Sequence, residues 1–331
     1  MVAIGRRRLE YVDVAKGLAI IGVYFGHHAV LPNCMINWFW AFHMPLFFII
    51  TGMYSHRLTE QNVKKTFNYS FRNLVVPYFL TEFVLTICLL VMLHQSAILL
   101  HLIAFAKCLS RHLFVENHPI WFLLALFYGR CFVSLFFTFP PILNCSKKMV
   151  SLFIVILFFA GWKCGSLLKE NDIVDYAALM KGFLSVIYIY VGVLLRRCNL
   201  EKVSLNECCF AFAVVAFAGQ VSFNMYYFDY PIGFFNVFTS SLVCLSLLIL
   251  IKALESRKSV IVEKIIMIFA FIGRNTLFIL CAHTLELILK ISRFVPTDNM
   301  AIRHVVVFFV IIASIPVFKR IPMVSNIYKI Q

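Results

Sequence analysis

Lys16 and His27 stand eleven residues apart in "YVDVAKGLAIIGVYFGHH", residues 11–28, a stretch that is otherwise almost wholly apolar. At 3.6 residues per turn this spacing puts both on one stripe of a helix, about 16 Å apart along its axis. Asp13, three residues before Lys16, is within pairing reach. A helix that only anchors a chain needs none of these groups. On a bland account, Asp13 and Lys16 snorkel to an interface and His27 makes an interhelical hydrogen bond. On a chemical account, His27 is a general base suited to neutral pH, and Lys16 is a cation at the other end of the same stripe. His28 is turned about 100° from His27 and reads as a bystander.

Further polar groups recur at membrane depth, where each costs a few kcal/mol and prompts a functional reading. "FWAFHMPLFFIITGMYS", residues 39–55, holds His43 about two turns from the start of the next helix, at a depth similar to His27. Pro45 beside it can kink that helix and free a backbone carbonyl. "NHPIWFLLALFYGR", residues 117–130, contributes His118 and Trp121. "FIGRNTLFILCAHTLELILK", residues 271–290, places Arg274 and Asn275 in one half of a helix, with His283 and Glu286 three residues apart in the other. Glu82 lies two turns into a third helix. A histidine layer approached along a basic stripe suits transfer of a group from a cytosolic donor to an acceptor. No HxxH or HExxH spacing occurs, and within the expected spans the one histidine–carboxylate pair within a helix turn is His283 and Glu286, so no metal is expected. P-loop, GxGxxG and GxSxG motifs are also missing.

The elements that must carry these groups follow from composition. Of 331 residues 62% are hydrophobic, 36 are Phe and only 14% are charged, with a mean hydropathy of +0.90. Apolar runs near twenty residues long recur throughout, as in an all-α polytopic membrane protein. Ten spans are expected, near 12–31, 37–55, 74–94, 119–139, 149–165, 176–195, 207–223, 232–251, 265–289 and 302–318. With a cytosolic N-terminus, nineteen of the 30 lysines and arginines fall on cytosolic segments and eight on outer segments or near the outer ends of spans. This asymmetry fits ten transmembrane helices in one bundle with both termini cytosolic. "AILLHLIAFAKCL", residues 97–109, is short for a span and reads as an interfacial or re-entrant helix. No repeat or linker divides the chain, so residues 1–331 form one transmembrane domain. The basic Arg6, Arg7 and Arg8 precede a retained first helix rather than a cleaved signal. The net charge of +15 lies in short clusters that orient helices and meet anionic lipid, which argues against nucleic acid as a partner. The 11 cysteines show no metal or disulfide spacing.

"VDVAKGLAIIGVYFGHH", "FHMPLFFIITGMY", "RNLVVPYF", "PIWFLLALF", "YVGVLLRR" and "IGRNTLFILCAH" occur in an order that resembles the acyltransferase-three family of integral-membrane O-acyltransferases. The lysine after the aspartate and the FHMPLFF segment are most similar to its fucose 4-O-acetylase-like branch. The resemblance implies a ten-helix core, acetyl-CoA as acyl donor, and acetylation of a sugar hydroxyl on a surface polysaccharide or lipid-linked precursor, in a bacterial inner membrane. It makes His27 the catalytic histidine. Lys16 stands where an arginine is usual, which keeps the charge but loses the bidentate fork. Arg72 is the basic residue before the third-helix proline, and Tyr69 replaces a second arginine. The donor phosphates are then expected near Lys16, Arg72, Lys64 and Lys65, with His43 orienting His27 or polarising the thioester. His27 acts either as general base or through an acyl-histidine. Asp13, Glu82, Trp121, Arg274, Asn275 and His283 are expected to support the site. The rival reading is a secondary transporter or flippase for an envelope glycan precursor, which also buries ionisable groups.

Overall fold

The computed structural model describes residues 10–28, 31–54, 63–92, 119–138, 149–156, 158–159, 163, 177–196, 204–218, 233–257 and 259–331. Among these every regular element is helical. The first helix, α1 (Glu10–Gly26), is apolar on all sides and buries residues around its whole circumference, from Tyr11 and Val12 to Val23 and Tyr24. A helix of that kind belongs inside a bundle. It packs against α2 (Asn33–Trp40), α3 (His43–Tyr54), α9 (Gly233–Glu255), α10 (Val260–Arg274) and α11 (Thr276–Leu289). Its crossing with α10 is made at two glycines. A Cβ on Gly17 would overlap the Phe269 carbonyl, and one on Gly273 the Asp13 carbonyl. Small residues at such crossings let backbones touch, which is how helices gain packing energy where lipid gives no hydrophobic drive.

The remaining core repeats this device. α6 (Trp121–Thr138) and α3 both pack on α7 (Ala177–Leu195), and Gly52 and Gly192 meet the opposing backbone where α3 crosses α7. Outside this core, α8 (Leu205–Phe217) exposes Phe210, Phe212 and Phe217, while α12 (Met300–Lys319) exposes Phe309, Val310 and Val317. Exposed apolar faces of this size on helices are lipid-facing surface. The molecule is an integral membrane protein.

Against ten expected spans, five described helical stretches are long and apolar enough to cross a bilayer, or six when α10 and α11 are counted as one broken span. The stretch at 97–109 and the loop with His118 lie outside the described residues. Two expected spans differ in form. The third begins earlier: α4 (Val63–Ser70), a π-helical turn (Phe71–Val75) and α5 (Val76–Met92) run on continuously. Pro77 has no N–H to bond back, and the widened turn immediately before it accommodates that loss. The ninth is not one rod: α10 and α11 meet at a bend of 69°, with Asn275 at the corner.

At the far end of the chain, α13 (Pro322–Tyr328) ends in a left-handed Lys329, φ 54°. The Ile330 N–H then bonds the Ser325 carbonyl at 3.2 Å, a reversal that turns the last residues inward. Gln331 reaches the α10–α11 corner, where its N–H donates to Asn275 Oδ1 at 2.8 Å and its carbonyl accepts from Asn275 Nδ2 at 3.3 Å.

Candidate active site

α1 ends at Gly26, and both histidines follow in an unwound turn closed by a 3.3 Å bond from the His28 N–H to the Phe25 carbonyl. They therefore leave the helical stripe that links residues 16 to 26, and each turns to a different neighbour. His27 is half-buried and lines a narrow pocket with Val23, Trp40, His43, Met44 and Trp121. The free space there is about 10 Å³, room for a single water-sized group.

His43 opens α3 and is buried. α2 stops at Trp40, ahead of Pro45, and in the break that follows the Phe39 carbonyl accepts the Phe42 N–H at 3.2 Å and also meets the His43 ring. His43 Nδ1 lies 2.8 Å from that oxygen. A carbonyl can only accept, so Nδ1 carries the proton and a neutral His43 keeps its lone pair on Nε2. Gly22 and Gly26 let α1 approach this turn. A Cβ on Gly22 would sit 3.2 Å from the His43 Cβ, and one on Gly26 would sit 3.0 Å from Trp40 Nε1.

A second cavity of about 250 Å³ adjoins the first. Val23 and Met44 line both, so the histidine pocket and the larger cavity are immediate neighbours. The larger cavity carries Lys16, Arg274 and Lys329. Apolar residues from α1, α3, α6 and α11, among them Ile20, Phe47, Phe122 and Leu280, form its walls. Lys16 Nζ is 3.7 Å from Asp13 Oδ1, and Arg274 Nε donates to the Ala270 carbonyl at 3.1 Å. Three cations line this cavity together with low-dielectric walls, and the histidines lie in the pocket next to it. Such a recess attracts an anion attached to a long, thin, less polar arm.

The structure brings together part of the expected set. Lys16, His27, His43, Trp121 and Arg274 line the two cavities, and Asp13 pairs with Lys16. Asn275 acts as the corner bracket. Lys64, Lys65 and Arg72 are exposed on the outer extension of the third span and do not line either cavity, although Leu74 does. Their place among the cations is taken by Arg274 and Lys329, from segments remote in sequence. Glu82 is buried on α5, which packs against α11. Lys181 is also buried and stacks its ammonium 4.3 Å over the Trp121 ring, behind the histidine pocket. No spacing rule points to Lys329 or Lys181, because each arrives by a fold-back or helix pairing between distant segments.

His283 stands between the pocket and a second buried group. Its ring centre is 5.6 Å from that of His27 and 5.3 Å from that of His28. His28, read from helix geometry as a bystander, is buried with its Nε2 3.1 Å from Glu286 Oε2. His304 of α12 completes this group, with Nδ1 3.3 Å from Glu286 Oε1.

The fold and these cavities define a class: a helical membrane protein with a histidine pair in a pocket next to a larger cavity lined by three cations. Residues 9–318 match the acyltransferase domain of the acyltransferase-three family, and with that span the chain belongs to it. No curated protein and no solved structure matches the chain. The protein is thus a membrane acyltransferase by family.

Proposed function

We propose that the protein moves an acetyl group from cytosolic acetyl-CoA to a sugar hydroxyl of a surface polysaccharide or its lipid-linked precursor. It would do so in the bacterial inner membrane, from a ten-span bundle with both termini cytosolic. The observation that carries the donor assignment is the adjacency of the two cavities, the larger lined by cations and the smaller by histidines. CoA has that chemistry: phosphates on one end, a long pantetheine arm, and a thioester at the tip. Lys16, Arg274 and Lys329 would hold the phosphates by charge-assisted bonds. The apolar walls would take the arm.

In the histidine pocket, the His27 ring nitrogen would take the proton from the acceptor hydroxyl as its oxygen attacks the thioester carbonyl. A C–O bond forms, the C–S bond breaks, and the departing CoA sulfur takes the proton back from the His27 imidazolium. The products are an O-acetyl ester and CoA thiol. His43 presents a lone pair to the pocket, so it suits orienting a His27 N–H better than polarising a carbonyl. The free space beside His27 fits no sugar. Entry of the acceptor would therefore require the pocket to widen, and Trp121 and Met44 are the side chains in the way.

Membranes containing the protein, supplied with radiolabelled acetyl-CoA and envelope glycan, are expected to place label in the glycan as alkali-labile ester. Unlabelled glycan crossing the membrane at the same rate with or without acetyl-CoA would instead mark a transporter and overturn the reading.

A further inference from the structure

The group formed by His28, Glu286 and His304 has a different character from the histidine pocket. Its members come from the turn after α1, from α11 and from α12, and none is more than 7% exposed. Among the described residues, His28 Nε2, His304 Nδ1 and both Glu286 carboxylate oxygens find no aligned hydrogen-bond partner. Buried polar atoms are rarely left so, and four in one place call for a ligand. The Glu286 carboxylate is 1% exposed, and the ion-pair contacts described for it all go to histidines, at 3.1, 3.5 and 3.3 Å. Neutral imidazoles supply no compensating charge.

We propose that His28, Glu286 and His304 bind a divalent first-row cation of the zinc type. Imidazole nitrogen and carboxylate oxygen are its usual donors, and two histidines with one carboxylate is a recognised three-ligand set. Bonds of about 2.1 Å give a tetrahedron with edges near 3.4 Å, and the nitrogen-to-oxygen separations of 3.1 and 3.3 Å are already of that size. One donor atom from each residue lies within 4.8 Å of the other two. Drawing the widest of these separations in to a tetrahedral edge takes side-chain rotations of up to about 1.4 Å. The His28 and His304 rings are stacked, 3.7 Å between centres, and this closure would splay them. The surroundings also brace the ligands. The Tyr24 hydroxyl donates to the His304 carbonyl at 3.0 Å, and its ring packs on both His28 and His283. Outer groups of this kind fix ligand orientation in metal sites.

The site would tie the unwound end of α1 to α11 and α12. His27 is the neighbour of a ligand, so the cation would fix its position relative to the pocket. Three protein ligands leave a further coordination position, with His283 beside it. This assignment does not depend on which acyl donor or acceptor the protein uses.

The test uses the full chain purified in detergent, stripped with a chelator and equilibrated with Zn²⁺ or Co²⁺ alone. One firmly held Zn²⁺ per chain is expected by elemental analysis, and a visible Co²⁺ ligand-field spectrum of nitrogen and oxygen type. Glu286→Gln and His304→Ala should lose both signals, while His27→Ala keeps them. Wild-type protein that holds no metal overturns the proposal without recourse to any variant. So does a Co²⁺ spectrum dominated by thiolate charge transfer that survives Glu286→Gln, since the exposed Cys34 and Cys209 would then be the ligands.

Discussion

His27 and His43 differ in what they can do although both line one pocket. His43 is held by the Phe39 carbonyl and buried, while His27 is half-buried on a turn with its ring open to the pocket. Under the acyl-transfer reading, His27→Ala is expected to abolish glycan acetylation in membranes while the protein still inserts at wild-type level. Unchanged ester content would remove His27 from the chemistry. His43→Ala is expected to cost roughly 10²-fold in rate, the lower end of what a proton-handling group contributes. Its loss should appear in kcat, because it meets the reacting group and not the donor phosphates. Arg274→Ala should behave in the opposite way. One charge-assisted contact is worth about 1.5–3 kcal/mol, so the acyl-CoA KM should rise roughly tenfold to a hundredfold with kcat little changed. A variant set in which Arg72→Ala raises KM and Arg274→Ala does not would move the donor mouth to the outer extension of the third span.

At the scale of elements, two contacts hold the recess open in its present shape. One is the glycine crossing of α1 and α10, which sets Lys16 and Arg274 in the same cavity. Gly17→Val forces the helices apart against backbone, and overpacking of this kind costs about 1–3 kcal/mol. A lower melting temperature by size-exclusion after heating, together with weakened acyl-CoA binding, is the expected pair of effects. The other contact is the corner at Asn275, where one side chain bonds the Phe271 carbonyl and both backbone groups of Gln331. Asn275→Ala should release residues 329–331 from the cavity and take Lys329 with them. Its binding defect should then match that of Lys329→Ala, and the double variant should add little, as expected of groups that act as one unit.

For the whole molecule, the distribution of bases makes a prediction about sidedness. An even number of crossings with both ends cytosolic requires reporter fusions at the N- and C-terminus to give the same cytosolic signal. Opposite signals would mean an odd count, and an N-terminus outside the cytosol would move the Lys16 end of the recess away from acetyl-CoA. The unwound end of α1 also matters at this scale. It joins the histidine pocket to the His28, Glu286 and His304 group, so disturbance of one is expected to be felt in the other.

Much of this was present in the amino-acid order. Apolar runs and the bias of lysine and arginine determined a polytopic helical membrane protein, because no other backbone arrangement satisfies long apolar segments in lipid. Helical spacing singled out Lys16 and His27, and the motif order indicated the acyltransferase family. Contacts between distant segments decided the rest. Helix periodicity placed His28 away from the site, but α1 unwinds at Gly26, and periodicity says nothing beyond a helix end. Lys64, Lys65 and Arg72 looked like the donor mouth because they are basic and close in sequence to the third span, yet they face outward. Arg274 and Lys329 line the larger cavity beside Lys16, brought there by a broken span and a left-handed reversal. His304 could not be linked to His28 from spacing at all. They meet because helix packing, unlike sequence periodicity, joins residues hundreds of positions apart.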